Sequence, residues 1–261
     1  MKLAAVGDNC IDYYVDKNEG FPGGNPVNVS VYFRRFNESS SYTGVVGDDS
    51  FGQLMIDSLK TKGVDTSHIR VETGKTAITE VHMNGKDRVL GDYDEGVLKN
   101  FKLSDEDIRF LATHDIVVSG CWGMIEKDLG KIKNHGVKIA FDFATKLEGG
   151  IIEDAIPYVD LAFFSDDDQD DEILKEFMIK IHLRGPQVVI VTRGEHGSLA
   201  YDGSNFYQFG IVPTCLVDTM GAGDSYIAGF IYGYLKGLSI IECMRLGAEN
   251  SATTLTYYGA W

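Results

Sequence analysis

The sequence predicts an α/β fold, a mostly parallel central sheet covered by helices on both faces, with a second and smaller sheet beside it. Three observations carry that prediction. Short apolar runs of strand length alternate with stretches of helical period along nearly all of the 261 residues. Asn84-Gly85, between two runs of period 2, breaks the alternation with the strongest short signal for a hairpin. Gly221-Ala222-Gly223 leads straight into a helical pattern, a turn that leaves helix N–H groups open.

In order along the chain, Leu3 to Val6 reads as a first buried strand, too short for a signal peptide. Asn25-Pro26 reads as an N-cap followed by proline at N1, with Val27, Val31, Tyr32 and Phe36 continuing the helix. Tyr42 to Val46 is a strand. Ser50-x-x-Gln53 reads as a capping box for a helix that Gly63 closes. Thr76 to Met83 and Arg88 to Tyr93 flank the Asn-Gly turn and, with Ile11 to Val15, predict the small sheet. Two readings of it stay open, a surface hairpin and a lid over a pocket. Asp115 to Ser119, Val137 to Phe141, Leu161 to Phe164 and Val188 to Thr192 are further strands, with helices that stop at Gly136 and Leu183 between them. Apolar residues at 227, 230, 231, 234 and 235 form one helical face ending near Gly237, and Ser239-x-x-Glu242 caps a last helix. No composition break divides residues 1–261, so one domain is expected, with the small sheet drawn from about 11–22 and 76–94.

A formal net charge of -15 argues against nucleic acid as a partner. No apolar run approaches the length of a membrane helix. Cys10, Cys121, Cys215 and Cys243 are widely spaced, which fits a reducing cytoplasm rather than a zinc site or a disulfide framework.

The chemistry concentrates in Asp218-Thr219-Met220-Gly221-Ala222-Gly223-Asp224. Unpaired N–H groups and the positive dipole end of a helix attract phosphate, and small residues let it approach. An aspartate in that turn stands beside the reacting phosphate, where it can accept a proton from an attacking hydroxyl. The ordinary alternative is a glycine turn with an aspartate cap. Two competing phosphate motifs fail. A dinucleotide fingerprint would need glycine where Tyr226 stands, and Gly74-Lys75-Thr76 lacks the first glycine of a P-loop, having Ile69 there.

This string resembles the carboxy-terminal signature of the ribokinase-like (phosphofructokinase-B type) sugar kinases. Gly23-Gly24-Asn25-Pro26-Val27-Asn28, Val45-Val46-Gly47-Asp48-Asp49-x-x-Gly52 and Val191-Thr192-Arg193-Gly194-Glu195-His196-Gly197 match further family segments in the family's order. The resemblance implies a three-layer α/β/α fold with a small β-sheet lid. It implies Asp224 as general base and an anion hole of Gly221, Ala222 and Gly223. Asp12, Gly24, Asn25 and Asn28 would hold the sugar, and Thr192, Gly194, Gly197 and Asn250 would lie on ATP. Magnesium would come with the nucleotide, and Asp218 matches the site of a monovalent cation in some members.

There are departures. The family's Asn-x-x-Glu stretch is Ser165-Asp166-Asp167-Asp168 here, leaving Asp168 as the candidate metal carboxylate, or as part of a solvated helix start. Asn25 stands where ribokinases proper carry lysine, which argues against ribose.

Gly7 to Asp12, Asp87 to Val97 and Tyr258-Gly259-Ala260-Trp261 resemble, within the family, the kinases that phosphorylate the 6-hydroxyl of fructosamines such as fructoselysine. Asp92, Asp94 and Glu95 can then face a substrate amine and Arg88 a substrate carboxylate, or all four belong to a solvated hairpin. A kinase for fructose, another ketose or a nucleoside is the alternative substrate class, and a non-catalytic sugar sensor the alternative function. A homodimer through exposed lid edges is expected.

Overall fold

The computed structural model describes residues 1–84 and 87–261, the side chains of 83–90 excepted. The strands are β1 (Lys2–Val6), β2 (Cys10–Tyr14), β3 (Glu19–Gly23), β4 (Ser39–Gly47), β5 (Asp65–Glu72), β6 (Ile78–Asn84), β7 (Asp87–Asp94), β8 (Ile116–Gly120), β9 (Lys138–Asp142), β10 (Leu161–Ser165), β11 (Val188–Thr192), β12 (Ser198–Tyr201) and β13 (Phe206–Phe209). The helices are α1 (Asn25–Phe33), α2 (Ser50–Thr61), α3 (Asp105–Leu111), α4 (Leu129–Lys133), α5 (Gly150–Ala155), α6 (Asp171–His182), α7 (Ala222–Leu235) and α8 (Ile240–Thr254).

Nine strands form one sheet in the order β13-β12-β11-β10-β9-β8-β1-β4-β5. All pairs are parallel except β11 with β12 and β12 with β13. Period-2 alternation in buried strands separates the two cores. In β1, Leu3 and Ala5 face α1, α2, α7 and α8, packing with Val27, Leu59, Phe230 and Met244. Ala4 and Val6 face the other layer, with Leu111, Ile132, Ile152 and Met178. Because both faces are covered, the central strands read as continuous apolar runs. Phe163 of β10 meets Phe230 of α7 edge to face, ring centres 5.5 Å apart. Truncating a buried phenylalanine of this kind costs about 3–5 kcal/mol.

The small sheet has the order β3-β2-β6-β7. The hairpin pairs antiparallel with Asn84 opposite Asp87, and its turn, residues 85 and 86, lies outside the described residues. Its link to the rest of the sheet is a parallel pair, β2 with β6, so the sheet is mixed.

Three helix starts and ends differ from the sequence reading. Gly24, at φ 106°, caps α1, and Asn25 is the first helical residue. Asp49 rather than Ser50 caps α2, its carboxylate accepting from the Gly52 N–H at 2.8 Å. The first helix stops at Phe33, and Phe36 falls in a separate 3₁₀ turn. In both of the first two cases the cap lies one residue earlier than read, a shift of the size expected at helix ends; Asp49 caps with its carboxylate, whereas Gly24 makes no side-chain cap and the Asn25 N–H goes to Asp8. The capping box of Ser239 and Glu242 forms as read.

Candidate active site

Carboxyl ends of parallel strands and the starts of the following helices meet on one edge of a doubly wound sheet, where ligands bind. Here that edge collects Asp8 after β1, Asp142 as the last residue of β9, and the starts of α1 and α7. Gly221 caps α7 at φ 71°, and a Cβ there would collide with the Tyr32 hydroxyl, so the turn needs glycine. A Cβ at Gly223 meets nothing within 4 Å, so the turn is open on that side.

Asp224, in the first turn of α7, is held at both carboxylate oxygens. Asn25 Nδ2 donates to Oδ1 at 2.5 Å and Asn28 Nδ2 to Oδ2 at 2.7 Å. Asn25 Nδ2 also donates to Asp142 Oδ2 at 2.6 Å, so one amide nitrogen ties two carboxylates together. The other oxygen of Asp142 accepts from the Ala144 N–H at 2.8 Å. Asp8 accepts from the backbone N–H of Asn25 at 3.2 Å. Asn25 can do all this because Gly24 takes the cap position and leaves its amide free.

Burial pushes the Asp224 carboxyl well above the ordinary carboxylate range; the Asn28 and Asn25 amides pull it back, and Asp142 and Asp8 push it further up. Asp8, 7% exposed, is pushed up to about 7, by burial first and by Asp142 in addition, against the Asn25 N–H. Asp142 is pushed up to about 6 by burial, against its two hydrogen bonds. Carboxyls with raised proton affinity are better proton acceptors than surface ones.

Beyond the glycine turn lies a cleft of about 670 Å³, within the range of small-molecule sites. Thr192, Gly194, Gly197, Ala222 and Gly223 line it, with Ser165 and Asp167 at one side and Ala248, Ser251 and Ala252 of α8 and the following Leu255 at another. Gly197, at φ 82°, permits the tight turn after β11, where a Cβ would collide with the Phe209 carbonyl. Asn250 is itself buried, donating to the Ser225 carbonyl at 2.7 Å and accepting from Arg35 at 3.0 Å. It ties α8 to α7 while its neighbours form the cleft wall.

The remaining predicted residues spread around this centre. Asp12 sits partly buried on β2, close to Gly23, with the Cys10 thiol donating to it at 3.6 Å. Asp92 is exposed on β7, and the side chain of Arg88 lies outside the described residues. Asp168 is exposed, one residue beyond the cleft-lining Asp167. Asp218 accepts from the N–H of Met220 at 3.0 Å and of Gly259 at 2.8 Å.

Sequence reasoning missed Asp8 and Asp142. The signal was available: each is an acidic residue at the end of a buried apolar strand, where a parallel sheet places its ligands.

Comparison with known proteins agrees with this geometry. A family model described as pfkB family carbohydrate kinase matches residues 3–261. The chain is 43% identical over 259 residues to fructoselysine 6-kinase of Shigella flexneri, covering 99% of each chain. It is 34% identical over 265 residues to fructosamine kinase FrlD of Bacillus subtilis, covering 100% of this chain and 93% of that one. Arabidopsis thaliana ribokinase, solved with ribose and ATP, superposes with a TM-score of 0.90 at 22% identity, over 99% of this chain and 93% of that one, which shows the shared fold. On the match across its length, the chain belongs to the pfkB family of carbohydrate kinases.

Proposed function

We propose that the protein transfers the γ-phosphoryl group of ATP to the 6-hydroxyl of a fructosamine such as fructoselysine. The observation that carries the chemistry is the Asp224 carboxylate, gripped at both oxygens at the open start of α7 beside a nucleotide-sized cleft. Asp224 takes the hydroxyl proton, and the Gly223 N–H meets the developing phosphoryl charge, while the Ala222 N–H donates to the Thr219 carbonyl at 3.2 Å. The substrate reading is supported by the relatives that act on fructoselysine and fructosamine.

Magnesium, which the family implies, binds mainly through substrate phosphates and needs one or two protein carboxylates. Asp167 on the cleft wall and Asp168 beside it offer them, so the residues fit; bound there, the ion would neutralise phosphate charge. A monovalent cation at Asp218 would share a carboxylate that already accepts two backbone N–H groups. The small sheet closes over the sugar as a lid, carrying Asp12 on β2 and Asp92 and Arg88 on its outer hairpin, with Gly24 at the start of α1. Its edge strands β3 and β7 provide the surface for a homodimer. Free thiols at Cys10, Cys121, Cys215 and Cys243 support a reducing, cytoplasmic setting. Among the described residues no helix is long and apolar enough to cross a membrane.

The test is ADP release with Mg·ATP and a panel of fructoselysine, other fructose–amino acid adducts, fructose, ribose and adenosine. A kcat/KM preference of orders of magnitude for a fructosamine is expected. A preference for free fructose or a nucleoside overturns the substrate reading. Sugar binding without turnover on any of them overturns the enzyme reading in favour of a sensor. Asp224→Asn keeps the shape and should lower kcat at least ~100-fold; near-normal turnover removes Asp224 as base.

A further inference from the structure

The string Tyr258-Gly259-Ala260-Trp261, quoted above from the sequence, takes no part in the chemistry just described. Its placement is nevertheless specific. The Gly259 N–H donates to Asp218 Oδ2 at 2.8 Å, at the head of the glycine-rich string. The Ala260 carbonyl accepts from the hydroxyls of Tyr32 and Tyr257. These anchors deliver the Trp261 indole to the back of α1, where Nε1 donates to Asn28 Oδ1 at 2.7 Å. The other end of the same amide donates to Asp224 Oδ2 at 2.7 Å.

An indole N–H is a donor only, and an amide has one accepting and one donating end. A donor at Oδ1 therefore fixes which way the amide points. With Trp261 in place, Asn28 presents its NH₂ to the carboxylate; turned over, it would present an oxygen to an anion. We propose that Trp261 is a positioning residue for the phosphoryl-transfer step, acting through the Asn28 amide to orient Asp224. The inference rests on the reading of Asp224 as the base.

The groups facing Asp224 are Asn25, Asn28 and Tyr32 from α1, Asp8 after β1, and Asp142 from β9. The Asn28 donor favours the ionised carboxylate, so loss of that donor raises its proton affinity. Trp261→Phe keeps an aromatic ring in place and removes the N–H together with the second ring of the indole, so the pH limb and the cycle with Asn28, rather than the loss of kcat alone, carry the test. We expect kcat to fall ~10-fold, the KM for ATP to stay unchanged and the acid limb of kcat/KM to move to higher pH. Asn28→Ala and the double variant complete a cycle. If Trp261 acts through Asn28, adding Trp261→Phe to Asn28→Ala costs nothing further. Additive losses, or a drop in kcat with an unmoved acid limb, overturn the proposal.

Measurements use Mg·ATP with whichever acceptor of the panel above is turned over, so a wrong substrate class leaves the test intact. Asp224→Asn is measured alongside. If it retains turnover, the base assignment falls and this inference with it. If it is inactive and the cycle is additive, only the role of Trp261 falls.

Discussion

Replacing Asp8 by asparagine should stabilise the protein at alkaline pH and do little at acidic pH. Asp8 is 93% enclosed by its 7% exposure, and its Oδ1 has no hydrogen-bond partner among the described residues. Its carboxyl climbs from 3.8 to about 7 on folding. Between those values the folded protein holds a proton that the unfolded chain has released. Each step upward in pH through that window therefore costs stability, and below about pH 4 the cost vanishes. At 1.36 kcal/mol per pH unit, the full effect above pH 7 is of order 4 kcal/mol. Asparagine keeps an oxygen for the Asn25 N–H and leaves its other atom as poorly satisfied as the oxygen it replaces, so charge is the main difference. Urea unfolding of both proteins at pH 5, 6, 7 and 8 measures it. The variant should gain relative to wild type with every step, reaching a few kcal/mol at pH 8. Parallel stability curves across that range would refute a buried, proton-holding Asp8.

Asp142→Asn removes a negative charge beside Asp224 and should shift the acid limb of kcat/KM to lower pH, opposite to the Trp261→Phe shift; a pH–rate profile with an unmoved limb would separate Asp142 from the base. The two turn glycines should fail differently. Gly221→Ala forces a side chain into the left-handed region and into the Tyr32 hydroxyl, so its melting temperature should fall by several degrees, from roughly 1–2 kcal/mol of strain. Gly223→Ala enters open space among the described residues, so its melting temperature should hold while kcat/KM for ATP drops ~10-fold or more if the proposed phosphate site lies at this turn.

The sheet was legible because strands buried on both faces announce themselves as apolar runs, and Val188 to Thr192 forms as read. The strands β12 and β13 were not foreseen. They are four residues each, too short to announce a period: β12 is largely buried and paired to β11, and β13 alternates exposed and half-buried beside β12. The turn at Gly221 to Asp224 was legible as a helix start because glycines lead into a helical apolar face, and α7 begins at Ala222 with Gly221 as its cap. Asn25 was placed in the right motif with the wrong local role. Asparagine is a favoured cap, and only Gly24 at φ 106° reveals that the cap lies one residue earlier. Asp8, Asp142 and Trp261 were hidden for a different reason. Their importance lies in hydrogen bonds across 17, 117 and 233 residues of chain, which no local pattern records.

The span of those contacts also governs when the site comes into being. Asn28 meets Asp224 across 196 residues, and Trp261 meets Asn28 across 233. The first thirty residues supply the amides, and the last forty supply the carboxylate and the indole. Contacts this distant in sequence are slow to close and form late. A chain emerging from the ribosome can pair β1 with β4 and β8 well before α7 exists, yet the hydrogen bonds around Asp224 cannot form until α7 and residues 258–261 dock. A product of proteolysis or interrupted synthesis that lacks α7 therefore lacks Asp224 and the whole hydrogen-bonded network around it, however much of its sheet is intact.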